Sequence, residues 1–276
     1  MNMSLGQYYP GNSILHRADP RTKILVSVMY MVLAFVAARA LEFAVLAVFV
    51  AGAIAASGIP LRVVLRSVKP ILPLIIFASI INLFMVPGEP FFRLWIIAPT
   101  REGLGMALRM AARISLIILG GSSLMIFTTT PIMLTDGVES LLGPLKRLRV
   151  PVHELAMMMT IALRFIPTLI EEADKIMRAQ ASRGADFNEG KLLDRARSFI
   201  PIIIPLFVSA FRRADDLANA MEARCYRGGE GRTKLRQLRM TLLDLCVLAA
   251  FAALSVIFFV LRGMGGFNQY FMLIAN

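Results

Sequence analysis

Long runs of uncharged apolar residues constrain this fold more than any other feature of the sequence. A helix needs about 20 such residues to cross about 30 Å of hydrocarbon. Of the 276 residues, 57% are apolar, and the mean hydropathy is +0.69, far above that of a soluble domain. We predict an all-α membrane protein with about five transmembrane helices, which lie in residues 24–38, 43–61, 70–88, 114–135 and 245–261.

The distribution of basic residues predicts the orientation in the membrane. Lys and Arg accumulate on the cytoplasmic side of membrane proteins. With a cytoplasmic N-terminus, five alternating spans place 24 of the 30 Lys and Arg on that side, and 18 of these lie in residues 136–239. We therefore predict a multi-pass protein of the plasma membrane, with its N-terminus in the cytoplasm and its C-terminus outside the cell.

The chain divides into four predicted segments. Residues 1–23 form a cytoplasmic N-terminal segment, residues 24–135 hold the first four spans, and residues 240–276 hold the fifth span and the external C-terminus. The remaining segment, residues 136–239, is too long for a connecting loop and too apolar for a disordered one. We therefore expect it to be a folded region on the cytoplasmic side.

Two long, bent helices are predicted within this cytoplasmic region. Small or apolar residues step by three and four from residue 151 to 183, and a second helix runs from about 192 to 224. Their uncharged stretches, 155–163 and 198–211, are too short to span a bilayer comfortably, so we interpret both as surface helices. Proline removes a helical hydrogen-bond donor, and we expect bends of more than about 20° at these positions: Pro167, Pro201 and Pro205.

A weak internal repeat ends each of these predicted helices in an arginine. Residues 171–184 recur 41 positions later as residues 212–225, and Arg183 coincides with Arg224. A lone arginine at a helix end ordinarily offsets the helix dipole. Two in the same register favour another interpretation, in which each tip enters a groove on a partner and binds a carboxylate bidentately. Gly184, directly after the first arginine, is a plausible C-terminal cap.

Other classes of function are disfavoured by what the sequence lacks. It has no G-x-x-x-x-G-K-[ST] phosphate loop, no G-x-S-x-G elbow and no second histidine at helical spacing after His153. Asp136 and Glu139 could serve an intramembrane enzyme, but a surface helix explains them better. Two lone cysteines support neither a disulfide nor a metal site, so we expect no cofactor and no metal. Nucleic acid is a weak candidate, because residues 136–239 also hold 13 acidic residues.

Arg109 and Arg113 lie near the predicted outer end of the fourth span. They are four residues apart and therefore share one helical face. Their long side chains can reach lipid headgroups. Alternatively, they contact a partner subunit or line a solute path, because ionisable groups in a membrane usually have a function.

Four stretches resemble the transmembrane T component of energy-coupling factor transporters, which are ATP-driven uptake systems for vitamins and some metal ions. Residues 11–23 are similar to the family's N-terminal S-x-L-H-x-x-D-P-R-x-K signature. Residues 128–135 resemble its entry to the cytoplasmic region. Residues 163–184 and 220–228 resemble its first and second coupling helices. The resemblance covers nearly the whole chain, and the four motifs are specific when they occur together in this order.

The resemblance implies a non-catalytic coupling subunit, with the two helix tips docked on two ABC-type ATPase subunits and the membrane helices holding one or several exchanged substrate-binding S components. This chain departs from the family boxes at two positions, where Ser182 replaces an alanine and Cys225 replaces a glycine. The loss of that glycine raises the question of which residue turns the second tip. Gly228 is the alternative. A stand-alone channel or secondary transporter is the competing hypothesis, and it would place repeats within the spans. The implied docking boxes are Ser182-Arg183-Gly184 and Ala223-Arg224-Cys225.

Overall fold

The regular elements of this protein are helices, which confirms the predicted all-α class. The computed structural model describes residues 8–88, 100–148, 150–185, 197–228, 238 and 240–274. A π-helical turn, Ser122–Ile126, and a 3₁₀ helix, Gly143–Leu148, accompany the α-helices. The α-helices are α1 (Ile14–Arg17), α2 (Pro20–Val36), α3 (Ala40–Ser57), α4 (Leu61–Arg66), α5 (Leu72–Met85), α6 (Arg101–Gly121), α7 (Pro131–Leu141), α8 (Val152–Ser182), α9 (Ile200–Ala223) and α10 (Leu242–Ile274).

The chain forms two compact units. Residues 1–140 and 237–276 make up the first, which we call the membrane unit, and residues 141–236 make up the second, the inserted unit. The inserted unit contains α8 and α9, and the membrane unit contains α1 to α6, almost all of α7 and α10. The chain therefore leaves the membrane unit after α7 and returns just before α10.

Four helical stretches of the described residues are long and apolar enough to cross a membrane. They are Ala40–Ser57, Arg101–Ile126, Val152–Ser182 and Leu242–Gly263. The first, second and fourth of these contain most of three predicted spans. The predicted first and third spans form α2 and α5, whose 17 and 14 residues rise only about 25 Å and 21 Å.

Helix α8 confirms the predicted rod from 151 to 183, because it runs unbroken over 31 residues. Its length and composition also satisfy the criterion for a span. The uncharged stretch 155–163 alone did not indicate this, because it is too short to span a membrane. The apolar part of α8 is longer and tolerates charged residues within it. Helix α9 begins at Ile200, whereas residues 192–196 of the predicted second rod lie outside the described residues.

The core of the membrane unit forms where α2, α3, α6 and α10 pack together. Tyr30 is fully buried and stacks on Phe49, which contacts the edge of Phe251, each at 5.9 Å between ring centroids. A methyl group on Gly120 would overlap the Tyr30 ring, so the glycine allows α6 to approach α2 closely. The Tyr30 hydroxyl donates to the Leu116 carbonyl at 3.0 Å, which satisfies its one buried donor.

The helix that contains the predicted fourth span, α6 with the π-helical turn after it, begins and ends earlier than the predicted residues 114–135. It begins at Arg101, where the Thr100 hydroxyl caps it by accepting from the Gly103 N–H at 3.0 Å. It ends at Ile126, and the Thr128 hydroxyl donates back to the Leu124 carbonyl at 2.8 Å. Threonines that bind the backbone in this way favour helix ends, and the next helix, α7, begins at a proline.

Candidate functional site

The first candidate tip is the C-terminal end of α8, in the inserted unit. Arg183 caps the helix with φ −90° and ψ 7°, and Gly184 follows with φ +87°. The Gly184 N–H donates to the Ala181 carbonyl and the Ala185 N–H donates to the Gln180 carbonyl, both at 3.0 Å. This pair of hydrogen bonds is a Schellman motif. It fixes the direction in which the chain leaves the helix, and it confirms the predicted role of Gly184 as a cap.

The second candidate tip, at the end of α9, has the same backbone structure. Arg224 caps the helix with φ −91° and ψ 12°. The Cys225 N–H donates to the Glu222 carbonyl at 2.8 Å, and the Tyr226 N–H donates to the Met221 carbonyl at 3.0 Å. Cys225 has φ +54°, so it adopts the left-handed conformation that Gly184 has in the first tip.

The structure therefore answers which residue turns the second tip. Cys225 makes the turn itself, although a side chain in the left-handed region costs about 1–2 kcal/mol. Gly228 also has a positive φ, +88°, but it lies three residues after the tip and does not replace Cys225 in the turn. The weak sequence repeat thus corresponds to a repeated local structure, in which Arg183 and Arg224 occupy equivalent cap positions.

Ser182, the other departure from the family boxes, fits the helix without distortion. Its hydroxyl donates to the Arg178 carbonyl one turn earlier, at 3.0 Å. Ser182, Arg183 and Gly184 are exposed, as are Ala223, Arg224 and Cys225. Both predicted boxes therefore present their side chains to the surroundings of the unit.

The two helices of the inserted unit are antiparallel. Glu172 of α8 accepts from the Ser209 hydroxyl at 2.5 Å and from the Arg213 guanidinium at 2.9 Å. Earlier on α8, Met157 and Ile161 line a cavity of about 420 Å³ together with residues near the end of α9 and just after it: Leu217, Met221, Arg224, Cys225, Tyr226, Arg227 and Gly228. Residues earlier on α8 therefore lie beside residues later on α9, so the two helices run in opposite directions.

The antiparallel arrangement places the two arginine tips at opposite ends of the helix pair. Arg224 lies on the cavity that Met157 lines, and Arg183 is 26 residues further along α8. At 1.5 Å per residue, this separation is about 40 Å along the helix. The two tips are therefore well separated along the helix pair.

The prolines lie at different places in their helices. Pro167 and Pro205 are inside α8 and α9, as predicted. Pro201 is the second residue of α9, after a turn at Phe199, where the missing N–H would have no helical partner in any case. The bend at each of the three positions stays a prediction, checked by the angle between helix axes in an experimental structure.

Arg109 and Arg113 lie within α6. Arg109 is exposed, so contact with lipid or an S component stays our prediction for it. Arg113 is half-buried and donates to the Ala37 carbonyl at 2.6 Å, with its guanidinium 5.9 Å from the Phe43 ring. It therefore also stabilises the connection between α2 and α3.

Sequence reasoning missed Glu42, which is 2% exposed and accepts from the Ala38 N–H at 2.7 Å.

Three further buried charged residues of the membrane unit were not predicted from the sequence. Asp19, Lys23 and Asp244 are each at most 5% exposed. Asp19 and Lys23 belong to the N-terminal signature, and Asp244 stands at the start of an apolar run, so the signal was present in the sequence. Sequence spacing could not show that residues more than 200 positions apart meet.

The fold defines this chain as a multi-pass, α-helical membrane protein. Comparison with known proteins narrows that class, because the family model of the cobalt transport protein CbiQ matches residues 11–235. The chain belongs to this family, whose curated relatives are transmembrane components of energy-coupling factor transporters.

The relatives match over most of their length. The energy-coupling factor transporter transmembrane protein EcfT of Ruminiclostridium cellulolyticum is 54% identical over 246 residues, which cover 89% of this chain and 92% of the relative. The protein of the same name from Thermosediminibacter oceani is 52% identical, with 92% and 96% covered. That of Bacillus subtilis is 43% identical, with 95% and 98% covered. The predicted resemblance is confirmed.

Proposed function

We propose that this protein is the non-catalytic coupling subunit of an ATP-driven importer for vitamins or other micronutrients. In this proposal, two ABC-type ATPase subunits bind the tips at Arg183 and Arg224, and the membrane unit holds a substrate-binding S component. One observation supports it most directly: the inserted unit repeats one exposed arginine cap at the two opposite ends of an antiparallel helix pair.

Each tip is suited to docking for a physical reason. A Schellman motif holds the cap residue and the two residues after it in one conformation, so little conformational freedom is lost on binding. A guanidinium binds a carboxylate through two parallel hydrogen bonds. With about 40 Å between the tips, each ATPase subunit receives one of them, and movement of the two ATPases relative to each other displaces the two ends of the helix pair.

The proposed topology places the inserted unit in the cytoplasm, where ATP is available. Although α8 is apolar enough to span a membrane, its C-terminal half carries several charged residues, and Glu172 forms an ion pair with Arg213 of α9. Such a pair is more stable at an aqueous surface than in hydrocarbon. Native Cys225 is exposed, so in a Cys246→Ser variant an impermeant thiol reagent should label it only after cell lysis; labelling in intact cells contradicts this orientation.

The membrane unit offers an apolar surface for an S component. Helix α5 packs on α6, yet none of its residues is buried, and Phe77 and Met85 are 64% and 77% exposed. In a membrane, such a surface contacts lipid tails or another membrane protein. We propose that the S component binds here, beside the exposed Arg109.

Co-purification with the ATPase subunits tests the proposal. Arg183→Ala and Arg224→Ala should each weaken assembly, and the double variant should abolish it, because losing the arginine of a desolvated ion pair costs about 2–5 kcal/mol. Arg212→Ala is the matched control, since Arg212 is an exposed arginine of α9 outside the tip, and it should assemble normally. A double variant that assembles and transports would overturn the docking role. Substrate uptake without any ATPase subunit would instead favour a secondary transporter.

A further inference from the structure

The first turn of α2 is joined to the first turn of α10 by one buried carboxylate. Asp244 is 1% exposed. Its Oδ2 accepts from the Thr241 N–H at 2.7 Å and from the Thr241 hydroxyl at 2.8 Å, which caps α10. Its Oδ1 accepts from the Asp19 N–H at 2.6 Å, and Asp19 is the N-terminal cap of α2. One side chain therefore satisfies donors at the starts of two helices.

A buried ammonium joins the same turn of α2 to the connection before α7. Lys23 is 2% exposed, and its Nζ donates to the Thr128 carbonyl at 3.1 Å and to the Thr129 hydroxyl at 3.0 Å. The Asp19 Oδ1 accepts from the Arg21 N–H at 2.9 Å, whereas its Oδ2 is buried without a hydrogen-bond partner among the described residues. Two buried carboxylates and one buried ammonium thus belong to a single cluster.

Helix α7 also packs directly on this turn. A methyl group on Gly137 of α7 would lie 3.0 Å from both Pro20 Cβ and Ile24 Cδ1 of α2. A side chain at this position would push α7 and α2 apart or force these neighbours to shift. The first turn of α2 is therefore held from two sides, by α7 and by the start of α10.

These two sides are the two places where the chain crosses between units. Helix α7 is the last helix of the membrane unit before the chain enters the inserted unit, and α10 is the first helix after the chain returns. The chain enters the inserted unit from α7 and returns from it to α10, so both covalent connections lead to helices that hold the first turn of α2. The buried cluster is the place in the membrane unit where both connections bind the same helix.

We propose that Asp19, Lys23, Thr128, Thr129 and Asp244 form a clasp that transmits movement of the inserted unit to α2 and, through it, to the packed helices of the membrane unit. The proposal rests on the coupling function proposed above and assigns residues to its mechanism. Buried, directional hydrogen bonds to charged groups resist separation, because an unpaired buried charge is strongly unfavourable. The clasp therefore moves as one body, and its loss uncouples ATP hydrolysis from transport without removing the docking tips.

The test uses the complete complex in lipid vesicles and measures substrate transported per ATP hydrolysed. Asp244→Asn keeps the size of the side chain and removes its charge. We expect this ratio to fall by about two- to thirtyfold, because single residues that couple two sites contribute about 0.5–2 kcal/mol and about 1.4 kcal/mol corresponds to a factor of ten. The rate of ATP hydrolysis should stay within about twofold of the unmodified complex, since the docking tips are unchanged.

Glu42→Gln is the matched control. Glu42 is as buried as Asp244 and also accepts from backbone N–H groups, but it lies beyond the opposite end of α2. This variant should lose stability without changing the ratio. A normal ratio in Asp244→Asn, or an equal fall in both variants, would overturn the clasp.

A milder variant covers the case in which Asp244→Asn fails to assemble. Thr129→Val removes the hydroxyl that accepts from Lys23 and keeps the shape of the side chain. It should lower the same ratio, by less than Asp244→Asn, and an unchanged ratio in an assembled complex would refute the proposal. Failure of the unmodified chain to bind ATPase subunits would instead refute the coupling function itself.

Discussion

The two helix tips share one hydrogen-bond pattern but use different residues to make the same turn. Gly184 adopts a left-handed conformation at no steric cost, whereas Cys225 adopts it despite its side chain. In both tips, the hydrogen bonds to the preceding helical turn are in place. The Schellman pattern therefore determines the shape of the tip, and glycine makes that shape easier to reach without being required for it.

Among substitutions of the turn residues, the largest change is expected from Gly184→Val in the first tip. A β-branched side chain is strongly disfavoured at φ +87° and should cost about 1–3 kcal/mol, so the tip loses its fixed shape and ATPase binding weakens. The measurement is the dissociation constant of the complex in detergent. Ser182→Ala, in the same box, is the control and should bind normally. Normal binding by Gly184→Val would mean that docking does not need the left-handed turn.

A smaller change is expected when the turn residues are exchanged. Gly184→Cys should weaken binding through the first tip by about 1–2 kcal/mol, and Cys225→Gly should strengthen binding through the second by a similar or smaller amount. Dissociation rates of the two variants from the ATPase subunits measure both effects. If the two rates shift in the same direction, conformational strain does not account for the difference between the tips.

The smallest change is expected where the two helices contact each other, away from the tips. Glu172→Gln removes the charge that pairs with Arg213. Partly exposed ion pairs contribute little to stability, so the thermal unfolding midpoint should fall less than in Gly184→Val. Exposed Glu171→Gln is the control. A larger effect at Glu172 than at the tips would show that the helix contact, rather than the tip geometry, is the critical feature of the inserted unit.

Local patterns explain how much of this structure could be predicted. The 3.6-residue period and the terminal glycine indicated α8 to within one residue at each end. The register of Arg183 with Arg224 indicated two equivalent caps, and both were found. Helix caps and helical periods depend on residues within a few positions of one another, so the sequence displays them directly.

Other features depended on contacts that sequence spacing does not show. The helix that contains the predicted fourth span ends at Ile126, in a π-helical turn, and the Thr128 hydroxyl binds the Leu124 carbonyl there, although the uncharged run continues to residue 135. Arg113 looked like a residue that reaches lipid, yet it donates to a carbonyl between α2 and α3. Hydropathy measures the preference for a membrane and does not distinguish among the polar partners available inside the bundle.

The sequence by itself determined the membrane class, the long α8 rod, the paired arginines and the family. Each follows from composition, period or a short motif, all of which are local properties of the chain. Only the tertiary structure decided that Cys225 makes the second turn, that the two tips point to opposite ends of an antiparallel pair, and that Asp19 meets Asp244. The turn at Cys225 is local, but the sequence offered two residues that could make it, Cys225 and Gly228. The other two arrangements depend on the packing of distant segments, where buried hydrogen bonds and close helix contacts select one of many pairings.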